Sequence, residues 1–402
     1  MLSHIAKLLW NTRTKSLLLA GQILLSFLVL FAVFSYVSHK FEDYSTPLGF
    51  NVGESYRIAV ELPEAIDTVA ADRKDLFLRL RRELETLPEV EGASAMGFFG
   101  PFDNSNWGWG EEHDGVHTWT RVFMADEHYE AVAQVDMARG RWYTPDDTLN
   151  GGYSVVVNEK YLERNYAGND MLDSTINFFV VEEGGTRDVK IVGVVSNFKY
   201  RSEFAEEEPI TFVPDAPWDA THQEHIMQNL LVRVAPGAPA SIEEELFEVV
   251  AQVTGSRESV ITALELRRET TSKAHWLPIV LMLCISAFLV ANVALGLFGI
   301  LINAIAKRRG EIGLRKALGA TGASVTGQLT AEVTLIAVLG LLAGSLVAIQ
   351  IPMFELIDLD NRYFWWGGFA AAALILTLVI ICALIPSGQA ARIHPAVALR
   401  ED

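Results

Sequence analysis

The sequence predicts a membrane α-helical protein with four transmembrane helices and an α+β extracytoplasmic domain, a ferredoxin-like split module with an inserted β-rich subdomain. Three observations predict it. Four windows, at about 16–37, 277–305, 327–351 and 363–385, are almost free of charge. Between the first two lies a hydrophilic, acidic stretch, and each end of that stretch carries a strand–helix–strand pattern.

Half of the 402 residues are hydrophobic while the net charge is −18, so apolar content and acidity are segregated along the chain. A 22-residue helix rising 1.5 Å per residue is about 33 Å long, enough to cross the hydrocarbon layer. The third window carries one charge, Glu332. The first follows Lys7, Arg13 and Lys15, as a signal peptide would. Its apolar run is about twice a signal core, however, and "FSYVSHKF" offers no small-residue cleavage pattern, so it reads as a retained helix. Helix two, at about 29 residues, would be roughly 43 Å long and project beyond the bilayer.

From Lys40 to His275 the chain holds 21 basic and 43 acidic residues. The segments before helix one, between helices two and three, and after helix four hold ten basic residues and three acids. Short Lys/Arg-rich flanks stay in the cytoplasm, which places both termini and the 307–320 loop there and residues 41–275 outside. The expected organisation is 1–40, helix one and the residues before it; 41–275, the outer domain, with an insertion at about 100–228; and 276–402, helices two to four. Cys284 and Cys382 both fall in membrane windows, so the outer domain has no disulfide, and at about 230 residues it is large enough to fold without one.

Within the outer domain "YRIAVEL" (Tyr56–Leu62) reads as a strand. Asp72–Leu87 sets Leu76, Phe77, Leu80, Leu84 and Leu87 on one helical face, and "VEGASAMGFF" reads as a second strand. The order repeats with "LLVRVA" (Leu230–Ala235), a helix whose Ser241 and Glu244 suggest a capping box, and the strand "SVITALEL" (Ser259–Leu266). Two such units are the halves of a split α+β module. "YSVVVN" and "VKIVGVV" are short strands of the insertion, and "EFAEEEP" reads as a solvated loop.

Catalytic signals are weak. His113 and His117 stand four apart beside Glu111, Glu112 and Asp114, a metal-binding spacing on a helix; "NWGWGEEHDGVHTW" reads instead as a loop or hairpin, where that spacing loses its meaning. His222 and His225 in "HQEH" resemble a zinc-protease signature without matching it. Trp107 and Trp109 beside glycines read as packing or turn anchors. No G-x-S-x-G elbow occurs, and "GATGASVTG" (Gly319–Gly327) lacks the lysine of a phosphate-binding loop. The chain is therefore expected to be non-catalytic, with no cofactor, no metal and no nucleic-acid partner.

The loop "KRRGEIGLRKALGA" (Lys307–Ala320) is the most informative segment. Wound as a helix, it sets Arg308, Glu311 and Arg315 on one side, with Glu311 placed to pair with Arg315, and Leu314, Ala317 and Leu318 in an apolar stripe on another. Gly319 and Gly322 supply turns before helix three. A positive-inside anchor on anionic lipid needs neither the acid nor the stripe, whereas a docking element for a cytoplasmic partner uses both. In the membrane, Asn292, Asn303, Glu332 and Gln350 form no array of paired charges for a polar solute path. Glu332, near the cytoplasmic end, is expected to be solvated or paired with the basic loop. Gly340 and Gly344, spaced G-x-x-x-G, let helices pack closely.

"RRGEIGLRKALGAT" (Arg308–Thr321) resembles the loop after the second helix in FtsX/MacB-type permeases of ABC transporters, and "IPSGQAARIHPAVALRED" resembles that family's C-terminal ending. The opening "IAKLLWNTRTKSLLLAGQILL" is similar to its lead-in helix, and "MARGRWYTPDD", "VVVNEKYLERNYAG" and "VKIVGVVSNFKY" are similar to its periplasmic core domain. The resemblance implies that the coupling helix comprises Arg308, Arg309, Glu311, Ile312, Leu314, Arg315, Lys316 and Leu318, seated in a groove of a cytoplasmic ABC ATPase that binds the ATP and Mg. It implies pairing with a second permease copy or a similar permease in the lipid. Because the chain starts about 15 residues before helix one, the ATPase is expected on a separate polypeptide. The leading expectation is export or extraction of a peptide, drug-like molecule or lipoprotein, with a periplasmic adaptor and outer-membrane channel as further partners. The alternative is a non-transporting regulator of a periplasmic cell-wall hydrolase. A sensor would carry a cytoplasmic output domain, for which these segments are too short.

Overall fold

The computed structural model describes residues 13–62, 70–104, 108–113, 116–147, 153–180, 185–214, 227–354, 356–357 and 359–390. The chain forms two compact units, Asp43–His275 and Met1–Glu42 with Trp276–Asp402.

The described chain opens with α1 (Arg13–Ser45). It continues with β1 (Ser55–Ala59), α2 (Ala70–Leu84) and β2 (Val90–Met96). Next come β3 (Gly108–His113), β4 (Val116–Met124), α3 (Tyr129–Ala133), β5 (Met137–Gly140) and a single 3-10 turn, Pro145–Asp147. They are followed by β6 (Tyr153–Asn158), α4 (Glu159–Tyr166), β7 (Thr175–Val180), β8 (Gly185–Val195) and β9 (Ile210–Val213). The unit closes with β10 (Asn229–Val234), α5 (Ile242–Thr254) and β11 (Val260–Ala263).

The ends of the α/β unit meet in one antiparallel sheet of order β11-β1-β10-β2. Two sequence-distant strand–helix–strand units interleaved in this order make the ferredoxin-like split module. Its core forms because α2 and α5 each turn an apolar stripe to the sheet. Leu76, Phe77, Leu80 and Leu84 from one, with Ile242, Leu246 and Val250 from the other, pack on Ile58, Leu230 and Val232. The insertion is a seven-stranded mixed sheet of order β3-β4-β9-β6-β8-β5, with β7 also on β8. Its core is aromatic: Phe123, Tyr129, Trp142, Phe198 and Phe212 interlock, with Phe198 and Phe212 edge to face at 4.8 Å between centroids.

Three local expectations are corrected. Ser241 has helical backbone angles (φ −66, ψ −15), and the Ile242 N–H is already taken by the Pro239 carbonyl at 2.9 Å. Its hydroxyl turns to Glu245 at 3.3 Å, so the capping box with Glu244 does not form. The strand expected over Ser259–Leu266 stops at Ala263, because Ala263 already pairs with Tyr56, one residue from the start of β1. Leu264 then begins a helix. For its part, β1 ends at Ala59 rather than Leu62.

That helix, α6, runs Leu264–Lys307, 44 residues or about 66 Å, rather than beginning near residue 277. After it come α7 (Arg309–Ala317), α8 (Gly322–Ala348), the short α9 (Gln350–Met353) and α10 (Asn361–Ala390). Among the described residues four stretches, Leu17–Ser45, Leu264–Lys307, Gly322–Met353 and Asn361–Gly388, are long and apolar enough to span a membrane. In the helical unit α1 is the most embedded, with Leu19, Ile23, Phe27 and Leu30 buried. Glycines on its neighbours let them approach. A Cβ on Gly340 would lie 2.8 Å from the Ala20 carbonyl oxygen, and one on Gly344 would lie 2.6 Å from the Phe27 ring. The same holds for Gly296 against Gln22 and for Gly367 against Ser35, two contacts with no spacing motif to announce them.

Candidate functional site

The basic loop folds as α7, a short amphipathic helix between α6 and α8. Gly319, at φ +99, reverses the chain after it, a conformation that favours glycine. Thr321 then caps α8, its hydroxyl accepting from the Ser324 N–H, so Gly322 is the first helical residue rather than part of the turn.

One face of α7 is fastened to α8. Ile312, 5 % exposed, packs with Val325 and Leu329 of α8 and Ile305 of α6. Arg308 forms a 2.8 Å ion pair with Glu332, and Arg315 donates to Gln328 Oε1 at 2.8 Å. Gln328 in turn donates to Glu332 at 3.3 Å. Gln328 and Glu332 are one helical turn apart, so a single polar ladder on α8 holds both ends of α7. Bonds to charged groups contribute about 1.5–3 kcal/mol each, enough to orient a nine-residue helix that would not persist alone. Glu332 is thus paired with the basic loop.

The apolar stripe faces outward. Leu314 is 52 % and Leu318 80 % exposed, with Ala317 exposed beside them. Lys316 is half-buried and Gly310 exposed, while the side chains of Arg309 and Glu311 lie outside the described residues. A helix held by one face and offering two exposed leucines on the other suits a groove in a partner protein. Two parts of this arrangement carry no local sequence signal: Gln328, and the inward turn of Ile312 onto Val325 and Leu329.

The other candidates are not assembled. His113 and His117 lie on the two strands of the β3–β4 hairpin, His113 paired with Val116 and His117 with Glu112. They therefore lack a helical relation. His222, His225 and Trp107 lie outside the described residues, as do the final twelve residues. Among the described residues no group of three His, Cys, Asp or Glu could hold a metal.

Residues 21–248 match the family described as MacB-like periplasmic core domain, and residues 283–395 match the FtsX-like permease C-terminal family. The chain is 22 % identical over 294 residues to the macrolide export ATP-binding/permease protein MacB 1/2 of Paracoccus denitrificans, covering 72 % of this chain and 43 % of that protein. It is 23 % identical over 310 residues to the uncharacterized ABC transporter permease YvrN of Bacillus subtilis, covering 71 % of each. The periplasmic region of MacB from Actinobacillus actinomycetemcomitans superposes with a TM-score of 0.38 at 14 % identity, over 57 % of this chain and 98 % of that one. The chain thus spans about two-fifths of the MacB relative and more of the permease. With both of its parts matched, the chain belongs to the FtsX/MacB-type permease family of ABC transporters. It is a multi-pass membrane protein.

Proposed function

We propose that this permease is a non-catalytic lever, moved from the cytoplasm by an ABC ATPase that binds ATP and Mg on a separate chain. Its α/β unit is periplasmic, its termini are cytoplasmic, and it works paired with a second copy or a similar permease. Nucleotide-driven closure of the ATPase displaces α7, and α7 displaces α8 and α6 through Ile312 and the Arg308–Glu332 and Arg315–Gln328 links. The observation that carries this reading is α7 itself, fastened on one side while Leu314 and Leu318 stand bare on the other.

The work performed is export or extraction of a periplasmic or outer-leaflet substrate, of the class peptide, drug-like molecule or lipoprotein, with an adaptor and outer-membrane channel as further partners. The two-part α/β unit supports export over regulation of a cell-wall hydrolase, because an inserted seven-stranded sheet adds surface that a simple relay does not need. Replacing Glu311 and Arg315 together with alanine is expected to uncouple the ATPase while the permease still folds and inserts. Co-purification and nucleotide-dependent export both unchanged in that variant would remove the docking role. Co-purification of an adaptor supports export, and capture of a peptidoglycan hydrolase supports the alternative.

A further inference from the structure

The connection from β8 to β9 begins with Ser196–Phe204, and three other segments of the α/β unit converge on it. Asn197 donates to the Pro47 carbonyl at 2.6 Å, and the Lys199 N–H donates to that of Leu48 at 2.9 Å. Gly49, at φ +82, sits so close to the Asn197 carbonyl that no side chain would fit. The Lys199 side chain is buried, and its ammonium donates to the carbonyl of Asp43, in the last turn of α1, and to that of Glu203 at 2.6 Å.

Glu203 holds the other helix. One carboxylate oxygen accepts from Arg268 Nε at 2.9 Å and Nη2 at 2.6 Å, and the other accepts from Ser272 Oγ at 2.9 Å. Both donors lie in the first turns of α6. Phe204, also buried, stands between Tyr44 of α1, 5.0 Å away, and the His275 ring of α6, 5.7 Å away and nearly parallel at 11°. Asp103 repeats the tie next door, bonding Arg57 of β1 at 2.7 Å and Arg267 of α6. Surface loops are usually exposed and tolerant of change. A loop that buries a lysine and spends a carboxylate on three bonds to one helix is a different object, because such groups destabilise a fold unless fully paired.

The chain crosses between the two units at 42–43 and at 275–276, and both crossings adjoin residues held by this loop. We propose that Lys199 and Glu203 are the two grips of a joint: Lys199 fixes residue 43 at the end of α1, Glu203 fixes residues 268–272 at the start of α6, and each helix end is thereby held to the connection that leaves β8. This rests on the lever reading and supplies the place where displacement enters the α/β unit. The two grips act on different helices. Loss of one frees one helix end and leaves the other held, whereas residues that only stabilise the fold would loosen the whole unit together.

The test is hydrogen exchange on the full chain in lipid nanodiscs. Lys199→Met is expected to raise exchange at least tenfold at residues 40–48, with 268–275 unchanged. Glu203→Gln and Glu203→Ala are expected to do the converse, and the reversed pair Glu203→Arg with Arg268→Glu restores protection at 268–275. Exchange that rises evenly across β6, β8 and β10, or at neither helix end, overturns the joint. A second arm adds the ATPase and nucleotide. If wild type shows no nucleotide response at 40–48 and 268–275 while the single variants behave as stated, the lever reading fails and the joint stands. If wild type responds and the grip variants respond identically, the joint does not carry the motion.

Discussion

Asp126 is buried where β2 meets the segment after β4. Its carboxylate accepts from Ser94 Oγ at 2.6 Å, Ala95 N at 2.8 Å and His128 N at 3.0 Å, with Arg81 of α2 at 4.0 Å. Burial pushes its carboxyl above the usual carboxylate range, Glu127 adds to the rise, and the three hydrogen bonds oppose it without cancelling it. A carboxyl raised in the folded state contributes stability that is complete below its unfolded pKa, about 3.9, and is lost as pH rises through the folded value. Asp126→Asn cannot titrate. The difference in stability between wild type and this variant is therefore expected to shrink as pH rises from about 4 towards neutral, read from thermal unfolding in detergent across pH. A pH-independent difference would show that the carboxyl titrates normally. The amide also loses an acceptor that now receives a hydrogen bond, at a cost of about 1–3 kcal/mol.

At the scale of elements, the glycines of the helical unit separate packing from mere permissiveness. Gly344 lies against Phe27, whereas Gly299 of α6 has nothing within 4 Å of where its Cβ would be. Gly344→Leu overpacks the α1–α8 contact and is expected to cost about 1–3 kcal/mol, seen as a lower unfolding temperature in detergent. Gly299→Leu is expected to leave it unchanged, and equal losses from the two would refute the contact. On α7, Leu314→Asp with Leu318→Asp alters exposed positions only, so stability should hold within about 0.5 kcal/mol while ATPase binding is lost. Glu332→Ala should instead loosen α7, because Arg308 loses its partner. The Gly340/Gly344 spacing was legible because a G-x-x-x-G pair leaves a regular groove. Gly296 and Gly367 were not, since an isolated glycine announces no face until its neighbour is known. The capping box at Ser241 failed for a related reason: a turn closed by the Pro239 carbonyl on the Ile242 N–H leaves Ser241 with helical backbone angles, and its hydroxyl turns to Glu245 instead.

For the whole molecule, charge segregation supports the proposed orientation, which accessibility can check. With Cys284 and Cys382 replaced by serine, a cysteine at Glu258, which is exposed, is expected to react with an impermeant thiol reagent added outside intact cells. A cysteine at Leu318 should react only after the cells are opened. Labelling of Leu318→Cys from outside would invert the proposed topology. The four spans and the α/β unit could be seen in the residue order because membrane helices need long uncharged runs and a split module needs its two halves at opposite ends of a domain. Those are constraints on neighbours in sequence, and the chain alone determined them. Which lysine is buried, that Glu203 in an acidic loop grips Arg268 and Ser272, and that Gln328 accepts a hydrogen bond from Arg315, were decided only by tertiary structure. The physical reason is that a polar group's role follows from the partners burial leaves it, and those partners lie 13 residues distant along the chain for Arg315 and Gln328 and 156 for Lys199 and Asp43.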